Sequence, residues 1–421
     1  MKLFFRLTLF FIGSMFVAPG FAQQNKPIPG KSIPVKTINR TEKDTTRSND
    51  TTIVNAKGVR QIDLSDLLEG ALHIKPEKKA DTVSLKPSFS VAPAIGYTLV
   101  SKFALVVAGN IAFRTDPKAR ISTIVGSMAF TQRKQFTFPI LSSIWTKNNK
   151  YNFIGDDRFY RYPQSTYGLG SSSNITHEDP MDYSYTRFYE TVLRRIAGNL
   201  YAGAGYIIDD HWNITDKNTF NDYAAYGKSS NTVATGFTLN ALLDSRDNAI
   251  NPSKGGYASI QYRDNYKFLG STSSWQSLIV DLRRYINLPE GSDNVLALWS
   301  YDWLILGGKP GYLDLPSTQW DSFSATGRGY IQGRFRGAQM VYAEAEYRYK
   351  ILNNGLLGGV FFLNAESFSA APGTRLQGIQ PGYGPGLRLK LNTISKTNIC
   401  VDYGFGRQGS RGLFIDVGEI F

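Results

Sequence analysis

The chain has 421 residues, of which 42% are hydrophobic and 19% charged, and a formal net charge of +13. That balance excludes a disordered chain, and past the N-terminus no run approaches the roughly 18–20 consecutive apolar residues of a spanning helix. One cysteine, Cys400, excludes an internal disulfide framework, three separated histidines (His73, His177, His211) point to no metal and no cofactor, and positive charges scattered along the chain point to no nucleic-acid partner.

The first 22 residues carry Lys2 and Arg6, an apolar run from Leu7, and Gly20 and Ala22 at the −3 and −1 positions of a cleavage site, the pattern of an export signal. Residues 23–86 are polar and poor in aromatics, and read as a flexible periplasmic linker. Within it Leu64, Leu67, Leu68, Ala71 and Leu72 fall on one face of a short amphipathic helix near 62–72, with Asp63 or Ser65 as its N-cap. That helix is either a tether resting on the periplasmic mouth of the C-terminal domain, or a plug or partner-docking element.

From 87 to 421 the pattern changes to a period of two. In 341–350 the residues Val341, Ala343, Ala345, Tyr347 and Tyr349 alternate with Tyr342, Glu344, Glu346, Arg348 and Lys350. The same alternation recurs over the whole region, with the second face small or charged, which suits a polar lumen better than a packed core. With 40 Gly, 24 Tyr and 26 Phe, the fold class is all-β, a transmembrane antiparallel barrel of about 16 strands. The strands are predicted at 88–100, 103–113, 120–130, 134–146, 147–157, 184–196, 198–209, 231–244, 256–267, 274–286, 294–305, 339–352, 356–366, 383–392, 397–406 and 411–421. The long connections, 158–183, 210–230, 306–338 and 367–382, all join an odd strand to an even one, so they share one side, the external side if both termini are periplasmic.

Three motifs carry a resemblance. The run from Asp244 to Tyr257, with Arg246, Asp247, Asn251, Pro252, Gly255 and Gly256, is similar to the bacterial surface antigen signature, the barrel domain of the BamA/TamA-like outer-membrane superfamily, and falls in a short periplasmic turn. Arg328-Gly329-Tyr330 resembles that superfamily's motif in the sixth external loop. Glu344-Ala345-Glu346-Tyr347-Arg348, Gly384-Pro385-Gly386-Leu387-Arg388 and Asp402-Tyr403-Gly404-Phe405-Gly406 come after it in the family's order.

The resemblance implies that loop six folds into the lumen and that Arg328 pairs there with acidic groups. The candidates are Glu344, Glu346, Glu366 and Asp402, with Asn364 standing where the family often has aspartate. A guanidinium in a barrel demands an anionic partner, and such a pair pins a long loop. A last strand ending at Phe421 resembles the C-terminal signal for barrel insertion. The polar 23–86 segment shows no POTRA domain, so the chain resembles a barrel-only member.

The resemblance implies insertion or translocation of protein or lipid at the bacterial outer membrane. Its expected partners are outer-membrane lipid and lipopolysaccharide, the barrel-assembly machinery for the chain's own insertion, and a periplasmic partner protein that delivers clients. The alternative is a passive pore or surface structural protein. Catalysis is not expected: His177 and His211 sit near Asp179, Asp209 and Asp210, in predicted loops, without a recognisable Ser–His arrangement.

Overall fold

The structure is a computed structural model that describes residues 59–64, 66–67, 85, 87–98, 100–217, 220, 222–322, 324–393 and 396–421. The export signal expected at 1–22, most of the 23–86 linker and the end of the 62–72 helix lie outside the described residues.

Sixteen strands build one barrel. They are β1 (Ser88–Thr98), β2 (Lys102–Phe113), β3 (Ser122–Thr131), β4 (Phe136–Trp145), β5 (Tyr151–Arg161), β6 (Asp179–Ala197), β7 (Leu200–Asp216) and β8 (Thr232–Asp244). The second half is β9 (Gly255–Asn265), β10 (Trp275–Asn287), β11 (Val295–Gly308), β12 (Gln339–Lys350), β13 (Leu357–Ser369), β14 (Gln380–Asn392), β15 (Thr397–Phe405) and β16 (Arg411–Val417). Each pairs antiparallel with the next. A three-residue edge piece, Gln164–Thr166, adds to β6 beyond the end of β5. The sheet curls until β1 and β16 come within 8 Å at Cα positions, and among the described residues no hydrogen-bonded ladder joins the two. No described helix is long and apolar enough to cross a membrane.

Alternation decides which way each side chain faces. On β13, Phe361 and Leu363 are each 58% exposed, whereas Phe362 and Asn364 between them are 3% and 1% exposed. A soluble sheet would bury the first pair. Here the apolar face points out, toward lipid, and the aromatic and charged face points into the lumen. The main cluster of buried residues is therefore the lumen itself, with Trp275, Trp299, Tyr301, Tyr342 and Phe368 on its walls and Tyr330 and Phe335 from the loop before β12.

Four expected strands have their boundaries corrected. Strands expected at 184–196 and 198–209 extend to 179–197 and 200–216 around a two-residue Gly198-Asn199 turn. Asp209-Asp210-His211 looks like loop composition, but alternation sends Asp209 and His211 inward, where Arg187 and Tyr185 receive them. His211 is thus a buried strand residue stacked on Tyr185 with centroids 4.4 Å apart, while His177 stays in a loop against Phe220. The strand expected from 147 begins at Tyr151, because Lys147–Asn149 forms a short 3-10 turn. The last strand stops at Val417 rather than 421. Phe421 does not share the outward face of Leu413, Ile415 and Val417. It turns into the lumen and stacks on Trp299 at 5.0 Å.

The N-terminal segment docks at the short-turn end of the barrel. The amide of Ile62 donates to Asn354 O at 3.1 Å, and Gln61 Nε2 to Asn353 O at 3.3 Å. Asp63 and Asp66 cap each other's amides across one turn, which makes Asp63 the N-cap of the helix that starts there. Asp63 is fully buried, and its second oxygen accepts from both the amide and the hydroxyl of Thr393.

Candidate functional site

Residues 309–338 connect β11 to β12, and most of the described ones are buried in the barrel. Arg328, Arg334, Arg336, Tyr330, Phe335 and Thr318 are all buried. The loop's tip is held by charge. Arg328 Nη2 donates to Glu344 and Glu346, and Nη1 to Asp402. The two glutamates alternate on β12 and the aspartate comes from β15, so one guanidinium ties the loop to two separate stretches of wall. Arg328 also lies over the Phe362 ring at 3.9 Å. Its carbonyl accepts from Asn364 Nδ2 at 2.9 Å. Asn364 therefore holds the backbone of the motif rather than its charge, and Glu366 accepts from Thr318 Oγ1 at 3.1 Å and makes no bond to Arg328.

The cluster continues toward the short-turn end. Glu346 accepts from Arg348 at 2.7 Å and from Arg388 at 3.3 Å. Arg388 reaches Asp402 at 2.5 Å and Glu419 at 2.9 Å. Arg328, Arg348 and Arg388 thus face Glu344, Glu346, Asp402 and Glu419, one charge short of neutral with Arg328 present and two short without it. Phe421 closes this end, its carbonyl accepting from Arg348 Nη2 at 3.0 Å.

Two glycines meet where the loop touches the wall. Gly329 has a φ of +111°, and a Cβ there would fall 2.6 Å from Phe405 O. A Cβ on Gly404 would fall 2.6 Å from Gly329 N. Backbone rests directly on backbone, which no other residue type allows. Around this contact Ser410 Oγ donates to Gly329 O at 2.8 Å, and the Tyr330 hydroxyl donates to Pro381 O at 2.6 Å and accepts from the Arg407 amide at 3.0 Å. Burial pushes that hydroxyl up to about 12.

The loop also spans the lumen. Arg334 donates to Ser173 O at 2.8 Å and Gln408 Oε1 at 2.9 Å. Trp320 Nε1 donates to Gln164 at 3.1 Å, and Arg158 of β5 donates to Ser322 O at 2.7 Å. A second inward network, not expected from the sequence, backs that side: Arg187 bonds Asp156 at 3.2 Å and Asp209 at 3.4 Å, and Arg263 bonds Asp209 at 2.6 Å. Its only trace in the sequence is Tyr185-Thr186-Arg187-Phe188-Tyr189, a polar residue every second position on one strand.

The turn 245–254 is built from its own side chains. Asp244 accepts from Arg246 at 3.0 and 3.1 Å and from Arg120 at 3.3 Å. Asp247 accepts from the Ser253 amide at 2.8 Å, its hydroxyl at 2.6 Å and the Lys254 amide at 3.2 Å. Burial raises the Asp247 carboxyl, but the Ser253 and Lys254 donors and nearby Lys396 outweigh it and hold the group below its ordinary range. Asn251 donates to Lys396 O at 3.2 Å. Pro252 is buried beside it, and Gly255 and Gly256 open β9, the first with a φ of +99°.

A family model described as the Omp85 superfamily domain matches residues 118–406. Among curated proteins nothing matches the sequence. Solved structures show the same fold at low identity. BamA from Haemophilus ducreyi lacking POTRA domains 1–3 is 13% identical with a TM-score of 0.51, over 79% of this chain and 69% of that one. CdiB from Escherichia coli is 11% identical with a TM-score of 0.53, over 79% and 62%. CdiB from Acinetobacter baumannii is 12% identical with a TM-score of 0.50, over 79% and 59%. The chain thus spans about three fifths of each CdiB chain. Among the described residues there is no POTRA domain.

Proposed function

The chain belongs to the Omp85 superfamily, and on that premise we propose that this outer-membrane barrel assists the insertion or translocation of protein or lipid at the outer membrane. The observation that carries the reading is the loop between β11 and β12, folded into the lumen and pinned through Arg328 to Glu344, Glu346 and Asp402. A long loop tied across the lumen by buried ion pairs narrows the passage, which favours a gated or seam-using barrel over an open pore. A gated or seam-using barrel needs the lumen sealed when no client is present. In this reading Arg328, Gly329 and Tyr330 are the latch, and the turn from Asp244 to Gly256 braces the periplasmic rim.

The same proposal covers the chain ends and partners. Residues 1–22 are an export signal, 23–86 a periplasmic linker and 87–421 the barrel. Long loops face outward among lipopolysaccharide, the assembly machinery inserts the barrel, and clients arrive by a periplasmic partner. The test is planar-bilayer conductance of the refolded protein beside a deletion of 309–338. Small, flickering wild-type conductance that grows large on deletion supports the reading. Large, steady wild-type conductance overturns it in favour of a pore.

A further inference from the structure

The apolar outer wall is interrupted at mid-height on β4, β5 and β6. Ser142 pairs with Gly155 and Gly155 with Glu190, and Asp157 takes the next outward position on β5. We propose that this face docks a membrane-embedded partner protein that presents a lysine or arginine at mid-bilayer depth.

Alternation sets the direction of these side chains. Arg158 and Arg187 pair across the ladder and are buried in the lumen, so Asp157 and its partner Phe188 face lipid, as does Glu190 two residues further on. Gly155 opens the space between strands. A Cβ there would fall 3.0 Å from Glu190 Oε1 and 2.7 Å from Ser142 Oγ, so the Glu190 carboxylate leans across β5 toward Ser142. Asp157 and Glu190 are diagonal neighbours in the ladder, about 7–8 Å apart. Glu190 is exposed and Asp157 half-buried, so both reach the surface. The nearby arginines, Arg158 and Arg187, bind Asp156 on the lumen side. Among the described residues neither Asp157 nor Glu190 has an ion pair or a side-chain hydrogen bond.

Depth follows from the register. The exposed Arg194 pairs with Tyr151 at one end of β5, and the exposed Arg161 closes the other. Those ten steps, at about 3.3 Å each and a tilt near 45°, place the two arginines roughly 23 Å apart along the barrel axis, close to the ~25 Å apolar band of such barrels. Asp157 stands four residues from Arg161 and Glu190 four from Arg194. Both carboxylates therefore lie near the middle of the band, among the exposed Phe138, Phe153, Phe159, Phe188 and Val192. Asp210 of β7, the next outward carboxylate, is one row from Arg161 and so near the rim.

Charge selects the occupant. Ionisable groups at this depth are costly, and are normally paired or turned to a polar interior. These two face lipid and share one sign. A lipid headgroup amine sits at the edges of the band, not at its middle. A second copy of this chain, related by a two-fold axis along the membrane normal, would set the same carboxylates against each other at the same height. A different membrane protein with a basic side chain on its own outer surface satisfies both groups, and the surrounding phenylalanines supply apolar contact.

The test uses the full chain, donor-labelled, in phosphatidylcholine vesicles. The probe is an acceptor-labelled leucine–alanine transmembrane helix with tryptophan ends and one central Lys, beside the same helix with a central Leu. Saturable energy transfer at least tenfold tighter for the Lys helix is expected. That preference should fall below twofold in Asp157→Asn/Glu190→Gln and survive in Asp302→Asn, whose carboxylate on the outward face of β11 is covered by its neighbours and only 3% exposed. Unchanged heat-modifiable migration shows that each variant is folded. No preference for the Lys helix, or a preference that the double variant keeps, overturns the proposal. Transfer between differently labelled copies of the barrel that the double variant alters overturns it in favour of self-association. None of these outcomes depends on conductance, so this face and the pinned-loop reading fail separately.

Discussion

Replacing Arg328 with alanine removes the one cation that faces three carboxylates from the loop side. Glu346 keeps Arg348 and Arg388, and Asp402 keeps Arg388, but Glu344 keeps only the Tyr342 hydroxyl. Breaking a buried pair by removing one partner costs about 3–5 kcal/mol, because the remaining charge has no compensation. The loop would still hold Tyr330, Arg334 and Arg336 in place, so the cost falls on its docked state rather than on the barrel. At about 1.4 kcal/mol per tenfold, the undocked population rises by roughly a hundredfold to several thousandfold. Trypsin reads this directly, since cleavage of a transiently opened segment tracks its open population. The variant should be cut after Arg334 and Arg336 far faster than wild type, in protein that still migrates as a folded barrel. Arg328→Lys, which keeps the charge and loses the two-armed fork, should fall between. Cleavage of Arg328→Ala within about threefold of wild type would refute the reasoning, because the carboxylate cluster would then contribute nothing to docking.

The same contacts set three further outcomes. Gly404→Ala places a Cβ 2.6 Å from Gly329 N and should displace the loop tip at a cost of about 1–3 kcal/mol, seen as faster trypsin cleavage with Arg328 intact. Asp63→Ala removes a helix cap and the one oxygen that accepts from both the amide and the hydroxyl of Thr393. A loss of about 0.5–2 kcal/mol is expected, and hydrogen exchange at Thr393 and over 59–67 should speed up while the β12–β15 amides stay unchanged. The Asp247 carboxyl is depressed in the folded protein, so its stabilisation is present above the ordinary aspartate value near ~3.9 and is lost as pH falls through the lower folded value. Exchange in 247–254 should accelerate at acid pH in wild type and be faster at neutral pH, without that acid step, in Asp247→Asn.

The barrel was legible because lipid outside and charge inside impose a strict period of two, and because turns need Gly, Asn and Pro. The sixteen-strand count and the asymmetry of long and short connections came from that pattern alone. Polarity misled where it was locally dense. Asp209-Asp210-His211 is loop-like in one dimension and becomes a strand only because Arg187, Arg263 and Tyr185 wait on neighbouring walls. Phe421 reads as the end of an outward strand, yet Trp299 and Arg348, far away in sequence, draw it inside. At Arg328 the motif and the set of nearby acids were readable. Which acid meets which guanidinium nitrogen depends on how β12 and β15 are staggered around the barrel, and no local pattern encodes that. Asn364 shows the same limit, since its partner is a backbone carbonyl that carries no sequence mark.

The unequal strand lengths give the barrel a lopsided rim. A strand needs about 9–11 residues to cross the hydrocarbon layer, and β6 and β7 have 19 and 17. At about 3.3 Å per residue and a tilt near 45°, those two strands run roughly 20 Å further along the barrel axis than one crossing needs. Across the barrel, β15 and β16 have 9 and 7 residues and β1 to β4 have 10 to 12, no more than one crossing needs, so the wall is lower there. The low side contains the unladdered junction of β1 and β16. A large molecule approaching the end with the long connections meets a parapet on one flank and a threshold on the other.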